Sequence, residues 1–313
     1  MKGLSTEEIM GIALELVGWT EIPLDSGIHV PGKNIKRLIF TMDANVGLLH
    51  MAKQLGFDAV VGHHPCGVLP QRGEVYRRHI DLLEEHGIAR EKAMKALAEP
   101  VESVVRRIEN NRFRMLYYES PNQTILEVDA ARMLDLPFMN IHNPFDEKGR
   151  RILQSKIDEA ALKNPHWKLG DVLKLIEELP EARYARDVYG ISPNIFIGKS
   201  SSGASKVVFV HGALSAPDAE IVTFYWENGF NTVIALHSEF ENLERLRKEG
   251  QGNLILTGHF LGDSLGMTPF IRSLREKGLE VVCMGGIIDI QEPLEERANG
   301  RRLSRNPQNR PLY

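Results

Sequence analysis

Gly56-Phe57-Asp58-Ala59-Val60-Val61-Gly62-His63-His64-Pro65 reads as a buried strand that ends on two adjacent histidines. The run from Phe57 to Val61 is short, valine-rich and preceded by glycine, which is the pattern of a buried strand. Pro65 has no N–H for a ladder and stops the strand. Neighbouring side chains on an extended backbone point to opposite sides, so His63 and His64 diverge. Either they cap the strand end by hydrogen bonding or each binds its own ion. Imidazole suits Zn, Fe, Ni or Cu, and two ions roughly 3.5–4 Å apart form the usual hydrolytic pair.

Outward from this strand, Lys36 to Met42 is a second buried strand that ends at Asp43. Val46 to Leu55 between them has its leucines at helical spacing and stops at Gly56. The unit is strand, helix, strand, and the crossover rule makes the two strands parallel neighbours. The same order returns in Lys206–Val210, Ala219–Glu227 and Gly229–His237. Gly229 precedes His237 by the same interval that separates Gly56 from His64. This predicts a duplicated α/β half, against the alternative of chance likeness between two α/β units.

The expected fold is α/β: two similar halves with mixed sheets, a site at the strand C-terminal ends between them, and a helical insertion. The expected boundaries are 1–149 for the first half, including the insertion at about 71–118, 150–203 for a helical connector, and 204–313 for the second half. Ser5 and Glu8 form a capping box that opens the first helix. The charged stretch Arg72 to Arg114, interrupted at Pro100, reads as an added helical pair with a solvated surface. Thr124–Leu134 is a further helix. Asn306 to Tyr313 reads as a frayed end or docking arm.

The chain has 313 residues, enough for a large core, and a formal charge of −4. That charge argues against nucleic acid as the principal partner. Two cysteines, Cys66 and Cys283, are too few and too far apart for a disulfide framework and fit a reducing cytoplasm. Glu7, Glu8 and Glu15 argue against a signal peptide, and no apolar run reaches the length of a membrane span. A soluble intracellular protein is expected.

Two further segments carry chemistry. His142-Asn143-Pro144-Phe145-Asp146 and His259-Phe260-Leu261-Gly262-Asp263 each place an aspartate four residues after a histidine. In a helical turn that spacing puts both side chains on one face, although Pro144 makes a compact loop an equal reading of the first. The second follows the apolar run Leu254 to Thr257, at the strand edge where α/β sites collect. Together the segments supply His63, His64, Asp146, His259 and Asp263 as metal-ligand candidates. Mixed imidazole and carboxylate ligands that leave a position open define a catalytic metal site.

Met42-Asp43, Gly62-His63-His64-Pro65, Ile141 to Asp146, and Thr257-Gly258-His259 with Asp263 resemble, in order, the Nif-three-like family of dinuclear metal proteins. Its members are often labelled GTP cyclohydrolase I type 2 homologues. The resemblance covers roughly 1–70, 119–149 and 204–288. It implies ligands at His63, His64, Asp146, His259 and Asp263. It also implies a cytoplasmic ring-shaped homo-oligomer, a hexamer being one such ring. Three departures stand out: Asp263 replaces the family's usual glutamate, Pro269 with Thr268 suggests a fresh helix start after that ligand, and the insertion is not part of the common core.

Gly262-Asp263-Ser264-Leu265-Gly266 has the letters of a nucleophile elbow, and Val210-His211-Gly212 those of an oxyanion loop. The elbow needs a histidine after its serine, and none follows His259. Gly198-Lys199-Ser200 lacks the first glycine of a phosphate loop. The resulting expectation is a metal-dependent hydrolase with two divalent transition-metal ions (Zn, Fe, Mn or Ni) acting on a small molecule, a nucleotide or another cyclic or phosphorylated metabolite. His142 is the general acid or base, or holds Asp146. Asp43 is a site wall or a helix cap, and His237 and Glu239 are second-rank candidates. The alternative is a non-catalytic metal-binding scaffold.

Overall fold

The computed structural model describes residues 2–66, 72–114, 122–213 and 217–290. Helix α1 (Thr6–Glu15) opens on the Ser5/Glu8 capping box, with both reciprocal hydrogen bonds present. Then come β1 (Gly27–Val30), β2 (Arg37–Thr41), α2 (Val46–Gln54) and β3 (Ala59–Gly62). A 3₁₀ turn (Arg72–Arg77) leads into α3 (Arg78–Glu85) and α4 (Arg90–Phe113), followed by α5 (Asn122–Met133), β4 (Phe138–Asn140) and α6 (Asn143–Lys163). Two connecting helices, α7 (Leu169–Glu177) and α8 (Pro180–Tyr184), precede β5 (Asn194–Ile197) and β6 (Val207–Phe209). The chain continues through α9 (Ala219–Glu227), β7 (Thr232–Ala235), α10 (Phe240–Glu249), β8 (Asn253–Leu256), α11 (His259–Glu276) and β9 (Glu280–Met284).

The first sheet has the order β1-β4-β3-β2-β9 and the second β5-β8-β7-β6. Four strands run parallel in the first sheet and three in the second, and in each an antiparallel edge strand joins one side: β1 on β4, β5 on β8. The duplication is therefore one of topology. Its sequence echo has a local cause. Gly56 and Gly229 both take left-handed φ, of 72° and 87°, just past α2 and α9. The next residues, Phe57 and Phe230, donate back to the carbonyls of Ala52 and Tyr225 at 2.9 and 3.1 Å. Each Gly-Phe pair thus closes a Schellman-type helix end and drops a buried aromatic into the core as the next strand starts.

Several expectations change. β9, late in the chain, pairs with β2 and completes the first sheet, so the segment after residue 204 serves both sheets. β5 belongs to the second sheet although it precedes residue 204. The expected boundary at 149/150 falls inside α6, which runs unbroken from Asn143 to Lys163. Pro100 does not interrupt the insertion, because α4 passes through it and the break falls at Gly87 instead. A proline within a helix costs roughly 3 kcal/mol, but here Ala93, Leu97, Val101, Val104 and Val105 bury one stripe of α4. That stripe, with Tyr76, Ile80 and Leu83, packs into one core with Val208, Val233, Leu254 and α9. The insertion covers the second sheet and is not merely a solvated surface.

Pro269 likewise starts no new helix. It lies inside α11, whose residues Leu261 to Thr268 are all buried, and the Thr268 hydroxyl is committed to Ser264 and Glu181. The segment Asn306–Tyr313 lies outside the described residues. No helix among the described residues is long and apolar enough to cross a membrane.

Candidate metal centre

The strand ladder continues one step past Gly62: His63 N–H donates to Thr41 O at 2.9 Å and His64 N–H to Met42 O at 3.0 Å. Both imidazoles are therefore held at the C-terminal edge of the first sheet. His63 Nδ1–H donates to Ile141 O at 3.1 Å, His64 Nδ1–H to Asp43 Oδ1 at 2.7 Å, and His142 Nδ1–H to Asp25 Oδ2 at 2.7 Å. With each Nδ1 so occupied, Nε2 is the ring nitrogen that each histidine has left for a metal. This is the tautomer and orientation that second partners impose on metal-binding histidines.

The aspartates arrive on two helices that begin at equivalent strand ends. Pro144 sits in the first turn of α6, where its missing N–H is harmless, so the His142–Asp146 segment is helical and not a compact loop. Asp146 lies in the first turn of α6, where the helix dipole favours a negative charge, and Asp263 lies one residue past the first turn of α11. The helices approach backbone to backbone. A Cβ on Gly266 would stand 1.8 Å from Phe145 O, one on Gly262 2.4 Å from Leu236 Cγ, and one on Gly149 3.1 Å from Gly266 N. Helices α6 and α11 thus pack closely enough to bring Asp146 and Asp263 into one cluster with His63.

Two overlapping clusters result. Deep in the protein, His63 Nε2 lies 3.4 Å from Asp146 Oδ1 and 3.6 Å from Asp263 Oδ2. Nearer the surface, His259 Nε2 lies 3.1 Å from Asp263 Oδ2 and 3.0 Å from His64 Nε2. Asp263 stands in both clusters, and His142 groups with His63 and His64 within ligand range. His63 and His64 thus enter different Asp263-containing groups, and they also share one with His142. His63, Asp146 and Asp263 are buried, whereas the His259 side chain is 44 % exposed and His64 25 %.

Burial and the close approach of carboxylates and imidazoles set the electrostatics. Burial holds His63 down to about 4 and pushes the Asp146 carboxyl up. Burial also opposes charge on His64, but the Asp263 and Asp43 carboxylates outweigh it and lift that imidazole to about 10. For Asp263, burial works against the anion, while His259 and His63 hold it well below the usual carboxylate range. His63 Nε2, Asp146 Oδ1 and Asp263 Oδ2 are buried without a hydrogen-bond partner. Stranded buried polar atoms cost about 1–3 kcal/mol each, and a shared divalent cation satisfies all three. The donor set fits a transition metal.

The other candidates divide. Asp43 orients His64, while Asn45 caps α2. His142 is nearer Asp25, at 2.7 Å, than Asp146, at 3.5 Å. The His237 ring packs on His259 with centroids 4.8 Å apart, and Glu239 sits at the N-cap of α10 without a side-chain cap bond. Ser264 is buried in α11, where its hydroxyl accepts from Ile288 N–H, so it is no elbow nucleophile. Sequence reasoning missed Asp25, and it took His211 only for an oxyanion-loop letter. His211 Nε2 lies 3.7 Å from both Asp146 Oδ1 and Asp263 Oδ1. Its available signal was position, at the end of the strand equivalent to β2.

Two similar α/β halves carrying a shared histidine–aspartate cluster define a class of candidate metal-binding proteins. A solved NIF3 superfamily protein from Sphaerobacter thermophilus is 34 % identical, covering 91 % of this chain and 100 % of that one with a TM-score of 0.81. The chain belongs to the NIF3 superfamily. Reduced HcgD from Methanocaldococcus jannaschii (12 % identity, TM-score 0.52, 90 % and 97 % covered) and a hypothetical protein from Staphylococcus aureus (10 %, 0.51, 90 % and 96 %) share the fold. No family model and no curated protein sequence matches the chain.

Proposed function

We propose that this chain is a dinuclear metal-dependent hydrolase of a small metabolite, with nucleotides and other cyclic or phosphorylated compounds as its substrate class. The observation that carries the reading is the place of Asp263, whose single buried carboxylate stands in both histidine clusters. His63 and Asp146 hold one ion and His64 and His259 the other, drawn from Zn, Fe, Mn or Ni. Such a pair, when bound, polarises the scissile bond and supplies an activated water. Asp43 and Asp25 fix the rings of His64 and His142 so that their Nε2 atoms keep facing inward. His142 either joins the ligands through that nitrogen or moves a proton at the reacting centre. Substrate enters beside His64 and His259, the exposed side of the cluster. The working form is a cytoplasmic homo-oligomeric ring.

Metal analysis after purification without chelator should find two ions per chain, with His63→Ala and His64→Ala each losing mainly one. A panel of phosphoesters and cyclic nucleotides should be turned over, with activity abolished by chelator and restored by metal. Two bound ions with no turnover would favour the non-catalytic scaffold. No stoichiometric metal would end the metal reading altogether.

A further inference from the structure

We infer that His211 is a ligand of the deep ion, completing a closed four-residue set with His63, Asp146 and Asp263 that clamps the two α/β halves together. The inference rests on the metal reading above and extends it to a residue outside the motifs that suggested it. His211 follows β6 at the C-terminal edge of the second sheet and is buried to within 8 %. Its Nε2 has no hydrogen-bond partner and faces two carboxylate oxygens, each at 3.7 Å. That separation is too long for a hydrogen bond. Ligands of one ion bound at about 2.0–2.2 Å stand roughly 3–3.6 Å apart. Both histidines stand near that spacing from Asp146 Oδ1, at 3.4 and 3.7 Å, while Asp263 faces His63 with Oδ2 at 3.6 Å and His211 with Oδ1 at 3.7 Å, so its carboxylate needs a small turn to give both one oxygen. A buried imidazole nitrogen left there without a partner is a costly arrangement.

The backbone holds His211 in place. Gly212 turns with φ of 80° and lies against α6, where a Cβ would come within 3.2–3.3 Å of Glu147. Glu147 is itself fully buried and anchored by Arg78, Arg150 and Arg151. The loop carrying His211 is thus docked on the helix that carries Asp146.

The four residues come in equal shares from the two halves: His63 and Asp146 from the first, His211 and Asp263 from the second. Four protein ligands saturate a tetrahedral ion, the mark of a structural site. The outer cluster joins buried Asp263 to the exposed His259 and partly exposed His64, and with three protein ligands it keeps a position open. The deep ion is therefore the more tightly held member of the pair, which clamps the halves and supports the charge at Asp263, and the outer ion is the one open to water and substrate.

The test compares His211→Ala and His211→Gln with His63→Ala and His64→Ala, all loaded with Co(II). Bound metal is counted, affinities are titrated, the cobalt absorption spectrum is recorded, and Tm is measured with and without metal. His211→Ala should reproduce His63→Ala: the deep ion is weakened by at least about 100-fold and the outer ion stays near wild type. The metal-free Tm should match wild type, while the Tm gain on loading the deep ion shrinks. His211→Gln should also shift the cobalt spectrum, because one nitrogen ligand is lost. Two ions in wild type with unchanged affinities and spectrum in both His211 variants would overturn the inference and leave the metal reading standing. A lowered metal-free Tm with intact ion binding would overturn it in favour of a packing role. Wild type without stoichiometric metal would overturn both.

Discussion

The two halves share a topology but end their equivalent strands on different residues. After β2 comes Met42-Asp43, and after β6 comes Val210-His211; after β3 comes His63-His64, and after β7 comes Leu236-His237. By the glycine-to-histidine spacing, leucine in the second half stands where the deep ligand candidate stands in the first. The carboxylates, in contrast, are repeated. His142 and His259 each precede an aspartate by four residues and a close-packed glycine by seven, at Gly149 and Gly266. What the halves kept in common is the helix crossing that brings the two aspartates together; what they divided is the imidazoles. The difference makes the two clusters unequal in burial and in openness.

The halves differ as well in how they are covered. The first sheet uses α2 and α5 from its own half, while the core against the second sheet draws on α3 and α4 from the insertion as well as on α9. The severest break of the comparison is removal of residues 72–114 with a short linker across the gap. The product should be insoluble, because Val208, Val233 and Leu254 would lose their cover and Glu147 its Arg78 partner. A soluble, metal-binding product in gel filtration would show the insertion to be an accessory after all.

Substitution at the crossing tests what the halves share. Gly266→Ala forces a Cβ to 1.8 Å from the Phe145 carbonyl, and overpacking of this kind costs about 3 kcal/mol. Urea unfolding should register that loss. Gly11→Ala is the control, since a Cβ at Gly11 in α1 meets nothing within 4 Å and should be neutral or slightly stabilising. Equal stabilities for the two variants would refute the close crossing as the device that lets an aspartate reach the centre.

The two aspartates should then separate in metal binding. Asp263→Asn is expected to weaken both ions by at least about 100-fold, because it stands in both clusters. Asp146→Asn should weaken only the deep ion, and competition titration distinguishes the two patterns. If the variants behave alike, the pairing of the helices is functionally symmetric and the unequal division of histidines has no consequence.

Much of this architecture was legible because its signals are local. The β2–α2–β3 unit and its echo rest on short apolar runs and Gly-Phe helix ends, and both His–Asp pairs sit within one helical turn. Where meaning depends on distant partners, the sequence was silent. His211 gains its role only when the second half approaches α6, and Asp25 only when its loop meets His142. β1, β4 and β5 are three or four residues long, too short for a periodic pattern. The charges on α4 drew attention from the stripe Ala93, Leu97, Val101 and Val104, whose partner sheet forms from residues beyond 194. Prolines 100 and 269 misled for the same reason: burial on either side outweighs one missing hydrogen bond.

The finest test contrasts the covers of the two sheets by acid. The layer over the second sheet contains His79, fully buried with neither ring nitrogen bonded, and His86, mostly buried below it. Burial holds them down to about 3 and about 4. In the unfolded chain both titrate near 6.5, so between those values the unfolded state binds more protons than the folded one. Stability is therefore full above pH 6.5 and falls as the pH drops through it. At pH 5, His79 alone should remove about 2 kcal/mol, the cost of keeping neutral a group that the unfolded chain protonates. In the cover of the first sheet, the histidine on α2, His50, is exposed. Hydrogen-exchange protection factors should accordingly fall from pH 7.5 to pH 5 more in α3 and α4 than in α2. His79→Phe should flatten the pH dependence of urea stability between 7 and 5 by up to that amount, and an unchanged slope would mean that His79 finds a proton-accepting partner in the folded state.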